Sequence, residues 1–226
     1  MKNRLKSMAT PRTWLIKRKK NVWTLKPKGS HKIEHCLPIG TILRDCLKHA
    51  KTTRELKNII YRKGILVDSK KISDIHHSIG IMDIVEVPEL KEKYIMLINT
   101  RGQLYLEKTD LKFKVAKIIG KKKIGKKIQL NLFGGKNVVA DKDDFKVGDT
   151  VLLDLKDYSI KDKINLAEGA SCMLLGGSHI GEFGKIKKIQ DHRITIEGEP
   201  GNEFETLKKF VYVTGKEKSL IETVKK

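Results

Sequence analysis

Alternation of apolar and polar positions marks strands along much of this chain. In "LKFKVAKII", residues 111–119, Leu111, Phe113 and Val115 alternate with Lys112 and Lys114. The pattern predicts a half-buried strand with one face in a core and the other showing lysine. "IQLNLF" alternates again and predicts the return strand, joined through a flexible basic turn, "GKKKIGKK". "IMDIVEV", Ile81 to Val87, predicts a strand that Pro88 closes. Ile65-Leu66-Val67 is a short apolar strand followed by a turn at Asp68-Ser69. Helical spacing comes just before it. Leu43 and Leu47 stand four apart with Cys46 between them, as on one face of a helix. Thr52 with Glu55 three residues on forms a capping-box pattern. It predicts a second helix with an apolar stripe of Leu56, Ile59 and Ile60, ended by Gly64. Towards the carboxyl end, "KVGDTVLLDL" leads from a Val-Gly-Asp turn into an apolar strand. Ile186 and Ile189, "RITIEG" and "FVYVTG" supply further strands, and together they predict an SH3-like barrel.

Charge changes this picture from a set of small modules to a binding protein. The chain of 226 residues carries 48 Lys and Arg against 27 Asp and Glu, a net charge of +21. Such an excess repels itself unless a polyanion offsets it, and nucleic acid or an anionic membrane are the candidates. No apolar run nears the ~20 residues that span a bilayer. Pro11 and Pro27 oppose an amphipathic membrane helix in the basic leader. No apolar stretch follows the first basic residues, so no secretory signal is expected. Three well-spread cysteines, Cys36, Cys46 and Cys172, fit a reducing cytoplasm better than a disulfide framework.

The charge is also uneven. Residues 1–32 hold eleven cations and no carboxylate, with Trp14 and Trp23 among them. Arg4, Lys6, Arg12, Lys17, Arg18, Lys19, Lys20, Lys26, Lys28 and Lys32, with Trp14 and His31, form the first candidate RNA surface. A segment this charged buries little by itself. It reads as an extension that orders on phosphates while each Trp packs into a groove or against a base. The competing reading is a solvated tail whose tryptophans dock on their own domain. Arg44, Arg54, Lys57, Arg62, Lys63, Lys70 and Lys71 surround the helix pair and the strand at Ile65 and form a second surface. Residues 112–127 hold eight lysines, and no acid lies between Asp110 and Asp141. Lys121, Lys122, Lys123, Lys126 and Lys127 at the predicted turn make a basic hairpin suited to lie along a phosphate backbone.

The sequence offers little for catalysis or metal binding. Gly120 and Gly125-Lys126 satisfy G-x-x-x-x-G-K, yet Lys127 stands where a phosphate loop needs Ser or Thr, and a strand pattern follows where it needs a helix. His31, His35, Cys36, Cys46 and His49 cluster loosely, with Cys46 on the predicted apolar stripe. Asp141, Asp143 and Asp144 lack the Gly and closing Glu of a calcium loop. No nucleophile, base and orienting acid fall into a catalytic frame. The expectation is a non-enzyme with no cofactor, no metal and no small-molecule substrate.

Specific motifs carry a resemblance. "RKGILVDSKKI" followed by "GIMDIVEV" resembles the S4-type RNA-binding module, in which a helix pair and a turn bind structured RNA. "MATPRTWLIKRKKNVWTLKPKGSHKIEHCLPIGTILRD" resembles the start of the S4e family of small-subunit ribosomal proteins of archaea and eukaryotes, with Ser30 in place of that family's Pro before His31-Lys32. "GGSHIGEFGKIKKI" through "FVYVTG" resembles the family's carboxyl-terminal KOW module, which implies RNA or protein contacts at Ser178, His179 and Lys185. The loop after Asp191 is shorter than is usual in the family. The resemblance implies a multidomain α+β protein. Residues 1–40 would be a basic extension, 41–90 an S4-like α/β module, 91–170 a central β-barrel-like domain, 171–215 an SH3-like KOW barrel and 216–226 a tail. It implies a structural component of the small ribosomal subunit, in the cytoplasm. Its partners would be small-subunit ribosomal RNA and neighbouring ribosomal proteins, with no membrane. S4-type modules also accompany RNA-modifying enzymes, and KOW modules also occur in free translation or transcription factors. Those are the competing functions.

Overall fold

The computed structural model describes residues 4–141, 143–198, 201–216 and 219–221, and the side chain of Lys63 lies outside that set. Most of the tail expected at 216–226 also falls outside it. The chain divides into two units. One runs to Ile98 and resumes over Gly102–Asp110; the other comprises Asn99–Arg101 and the chain from Leu111 onward.

In the first unit, β1 (Arg4–Lys6) and β2 (Trp23–Leu25) form an antiparallel pair, with Lys6 opposite Trp23. β3 (Cys36–Pro38) leads into α1 (Ile39–Thr41) and a wider helical turn over Ile42–Cys46. α2 (Thr53–Asn58) continues into a similar wide turn, Ile59–Lys63. β4 (Leu66–Val67), β5 (Lys70–Lys71), β6 (Ser78–Gly80), β7 (Ile84–Val87), β8 (Glu92–Ile98) and β9 (Leu104–Lys108) complete it. β3 pairs with β6, and the rest form an antiparallel sheet in the order β5-β4-β7-β8-β9. The sheet runs through residue 90, because β7 and β8 are joined by a single turn at Pro88–Leu90.

Local chemistry explains these boundaries. Thr52 Oγ1 accepts the Glu55 amide at 3.2 Å, and the Glu55 carboxylate turns back to accept the Lys51 amide at 2.9 Å. That is the expected capping box, displaced by one residue on its return arm. Leu56 and Ile60 are fully buried, and Gly64 ends the segment at φ 66°. At the β4–β5 turn both Asp68 and Ser69 have positive φ, 48° and 61°, the pattern of a type I′ hairpin. Asp68 tolerates this because its carboxylate accepts the Ile84 amide at 3.0 Å, which fastens the turn to β7. The strand expected over Ile81 to Val87 begins three residues later than predicted. Met82 takes φ 69°, and Asp83 folds back to accept the Gly80 amide at 2.7 Å.

The second unit contains two five-stranded antiparallel sheets. The first comprises β10 (Phe113–Ile124), β11 (Lys127–Leu132), β12 (Asn137–Ala140), β13 (Thr150–Asp154) and β14 (Ile160–Ile164), in the order β12-β11-β10-β13-β14. The other comprises β15 (Ser171–Leu174), β16 (Phe183–Ile189), β17 (Arg193–Gly198), β18 (Glu203–Leu207) and β19 (Val211–Gly215), in the order β18-β17-β16-β15-β19. Ile118, Leu130, Val151 and Leu153 centre one core, and Cys172, Ile186, Ile194 and Val213 the other. The protein is thus mostly antiparallel sheet with few, short helices. Its longest regular α-helix among the described residues has six residues, so the helical share expected of an α+β chain is smaller than predicted. Gly64 and the left-handed Lys48 stop the helical segments early.

One sequence expectation inverts. Lys114, predicted with Lys112 on an exposed lysine face, is 3% exposed, and Lys117 on the opposite face is 6% exposed. β10 is covered on both faces near Lys117, because Tyr212 of β19 packs there. The Lys117 amide donates to Tyr212 Oη at 3.2 Å, and that hydroxyl donates to the Val115 carbonyl at 2.9 Å.

Candidate nucleic-acid interface

The leader is folded onto the first unit. Trp14 is 2% exposed, and its indole N–H donates to the Ile33 carbonyl at 3.1 Å. Thr13 donates its hydroxyl to the Glu34 carbonyl and accepts the Leu104 amide, both at 2.8 Å. Arg18 donates to the Pro11 carbonyl at 2.7 Å. Further on, the Lys28 amide donates to the His76 carbonyl at 2.7 Å, and the Ser78 amide to the Lys28 carbonyl at 3.0 Å. Apart from the bond from Arg18 within the leader, these bonds are sequence-distant, so a segment poor in apolar residues is held by its backbone, the Thr13 hydroxyl and one buried indole. His31 is also internal: its imidazole is 7% exposed and lies 2.9 Å from the buried Asp83 carboxylate.

The other candidates in this unit are arranged differently. Arg4, Lys6, Arg12, Lys17, Lys19, Lys20, Lys26, Lys28 and Lys32 are exposed, and Arg18 and Arg44 are half-buried. Lys28 lies 3.6 Å from Asp74, and Arg44 pairs with Asp45 at 2.9 Å. Arg54, Lys57 and Arg62 project from α2 and the turn after it, and Lys70 and Lys71 form β5. Lys63 belongs to the same segment, but its side chain lies outside the described residues.

A cleft of about 860 Å³ opens between the leader and the turn that follows α1. Lys17, Lys20, Arg44, Lys48 and Lys51 line it, with Asp45 as the single lining acid and Trp23 as the lining aromatic. Trp23, unlike Trp14, is 50% exposed. Trp23 was expected against a groove or a base, whereas Lys48 and Lys51 were not among the residues expected at an RNA contact. The signal was hidden because Lys48 reaches the cleft through a left-handed backbone, φ 57°, that the sequence "LKHAK" does not announce.

In the second unit, β10 changes partner. Phe113 to Lys117 pair with β13, and Ile118 to Ile124 pair with β11, with a bulge between Ile118 and Gly120. The turn is only Gly125-Lys126, with Gly125 at φ 59°, so the expected flexible loop is mostly strand. This geometry also disposes of the phosphate-loop motif, since no helix follows Lys126. Lys121, Lys122, Lys123, Lys126 and Lys127 are all exposed at the tip. Lys121 pairs with Asp143 at 2.6 Å and Lys127 with Asp141 at 3.1 Å. Lys122, Lys123 and Lys126 have no ion-pair partner among the described residues. Ser178 and Lys185 are exposed. His179 stacks on Phe204 with ring centroids 3.9 Å apart and lies 3.1 Å from Glu182.

Burial holds the three thiols in their protonated form. Burial, with Asp83 nearby, pushes Cys36 up to about 12. Burial and Asp45 push Cys46 to about 11, and burial alone pushes Cys172 to about 12. Burial also lowers His35. Among the described residues no three His, Cys, Asp or Glu side chains gather as a metal site. No helix among them is long and apolar enough to cross a membrane.

Comparison with known proteins identifies relatives of the chain. Residues 90–160 match the family described as "Ribosomal family S4e". The chain is 38% identical over 231 residues to the small ribosomal subunit protein eS4 of Methanosphaera stadtmanae, covering 97% of this chain and 95% of that one. It is 35% identical over 233 residues to the eS4 protein of a Methanococcus maripaludis strain, covering 96% of each. The crystal structure of the 30S ribosomal protein S4e from Thermoplasma acidophilum superposes with a TM-score of 0.67 at 28% identity, over 80% of this chain and 94% of that one. With relatives this similar across nearly its full length, the chain belongs to the S4e family of ribosomal proteins.

Proposed function

We propose that the protein is a structural constituent of the small ribosomal subunit in the cytoplasm. It binds small-subunit ribosomal RNA and adjoining ribosomal proteins through separate basic surfaces, and it stabilises folded RNA helices during assembly and translation. The observation that carries this reading is the full-length similarity to proteins named small ribosomal subunit protein eS4, in a chain with a net charge of +21. The helix pair followed by the β4–β5 hairpin supports an S4-like module within residues 41–90. The glycine-rich antiparallel sheet within 171–215 supports a KOW-like module, and the sheet of β10 to β14 supports the central β domain. The action is binding rather than catalysis: cations neutralise phosphates, and rigid sheets fix their spacing.

Sedimentation tests it. Tagged protein expressed in an archaeal host should travel with small subunits and stay on them through a high-salt wash. Quantitative release into the supernatant would favour a dissociable factor instead.

A further inference from the structure

We infer that the cleft between the leader and the turn after α1 takes one unpaired RNA nucleotide, its base stacked on Trp23 and its phosphates met by Lys17, Lys20, Lys48 and Lys51. The inference rests on the RNA-binding reading above and adds to it a substrate form and residues. Three observations converge on it.

The first is the contrast between two indoles in one short leader. The fold buries Trp14 and hydrogen-bonds it, yet leaves Trp23 half exposed at a cleft wall. Lys6 stands directly opposite Trp23 in the β1–β2 register, so both side chains leave the same face of that pair. An exposed aromatic ringed by cations is the platform on which single-stranded bases stack. A base held in a duplex cannot reach it, because its faces are already covered by neighbouring pairs.

The second is charge. Five cations line the cleft against Asp45, and Asp45 is occupied by Arg44 at 2.9 and 3.2 Å. The lining therefore presents four uncompensated positive charges in about 860 Å³, within the ~300–1,000 Å³ of ordinary ligand sites.

The third is the backbone at Lys48. The Leu47 amide donates to the Ile42 carbonyl at 2.9 Å and the His49 amide to the Leu43 carbonyl at 2.8 Å. Lys48 sits between them at φ 57°, the left-handed position where glycine is the low-strain residue. A lysine there accepts backbone strain and takes its place in the cleft lining.

The test uses the full-length protein and a uridylate oligomer of about ten nucleotides, within the ~4–16 that single-strand binders cover. Binding is followed by tryptophan fluorescence at fixed salt. The single strand should quench the wild type, and a blunt duplex of equal length should not. Trp23→Leu should keep its thermal midpoint, lose the quench and bind the single strand about 5- to 100-fold more weakly. Lys48→Gly should be as stable as wild type or more so, yet bind more weakly, with a salt slope lower by about 0.7. A structural role for Lys48 predicts no such split. Wild-type affinity in both variants would overturn the inference, as would an equal quench by an oligoglutamate peptide, which would mark a protein-binding cleft. A small-subunit RNA transcript separates the two levels of the argument. If the wild type binds the transcript while both variants behave like it on the oligomer, the cleft assignment alone falls. If the wild type ignores the transcript, the RNA-binding reading falls with it.

Discussion

Lys117 shows how far a single residue departs from its sequence signature. Its ammonium donates to the carbonyls of Val211 at 2.6 Å and Lys209 at 2.9 Å. Burial, reinforced by Lys208, lowers its pKa from 10.5 to about 8. Below about pH 8 both folded and unfolded chains hold the proton, and the cost of burying the charge is constant. Between about 8 and 10.5 the unfolded chain still binds a proton that the folded chain has released, so stability rises with pH. The slope approaches about 1.4 kcal/mol per pH unit at most. Urea unfolding of wild type and Lys117→Met across pH 6.5–10.5 reads this directly. The difference should be flat at low pH and shift in favour of the wild type above about 8. The carbonyls left bare in the variant move the curve without tilting it. A difference that stays level through pH 10 would mean that Lys117 keeps its proton in the fold. In sequence, Lys117 is one lysine among eight; period-2 alternation sets it on the face of Leu111, Phe113 and Val115, but nothing nearby in sequence shows what would receive its charge there. The carbonyls that receive it, at Lys209 and Val211, come more than ninety residues later, and a long-range contact of that kind leaves no local trace.

At the scale of elements, local chemistry was the legible part. Thr52, Glu55, Leu56, Ile60 and Gly64 mark α2 because caps, stripe and stop all act within a turn or two. The hairpin strands around Gly125 were equally readable, although the turn is two residues rather than a loop. The leader was not, since charge and proline content point to a segment that orders only on a partner. Its anchor, Trp14, is indistinguishable in sequence from Trp23; what separates them is the Ile33 carbonyl and the sheet beneath. If Trp14 holds the leader down, Trp14→Ala should cost about 3–5 kcal/mol in the unfolding free energy, as for other large-to-small aromatic changes. Trypsin should then cut faster among Arg12, Lys17, Arg18, Lys19 and Lys20, as local opening exposes them. Unchanged cleavage would show that the backbone bonds at Lys28 and Thr13 suffice.

For the whole molecule the question is how a net charge of +21 is used. Some surface cations are already matched: Lys121, Lys127, Lys161 and Lys216 have carboxylate partners, and exposed pairs of this kind contribute little to stability. Those that matter for a polyanion are cations without a partner on rigid supports, because they gain most when a phosphate arrives and lose no existing pair. Lys122, Lys123 and Lys126 fit this description. They are carried on a strand pair whose register runs unbroken from Gly120↔Asn131 to Ile124↔Lys127. Replacing all three with Gln should leave the fold intact, since each side chain is exposed. If the tip lies along RNA, up to three counterion-releasing contacts disappear. The slope of log K against log salt for a small-subunit RNA transcript should then flatten by about 2–3, at roughly 0.7–0.9 per phosphate. Lys121→Gln, which first removes an internal pair with Asp143, should change the slope by less than any one of the three. A triple variant with the wild-type slope would take the hairpin out of the RNA interface and leave the first unit's basic surfaces to carry the binding.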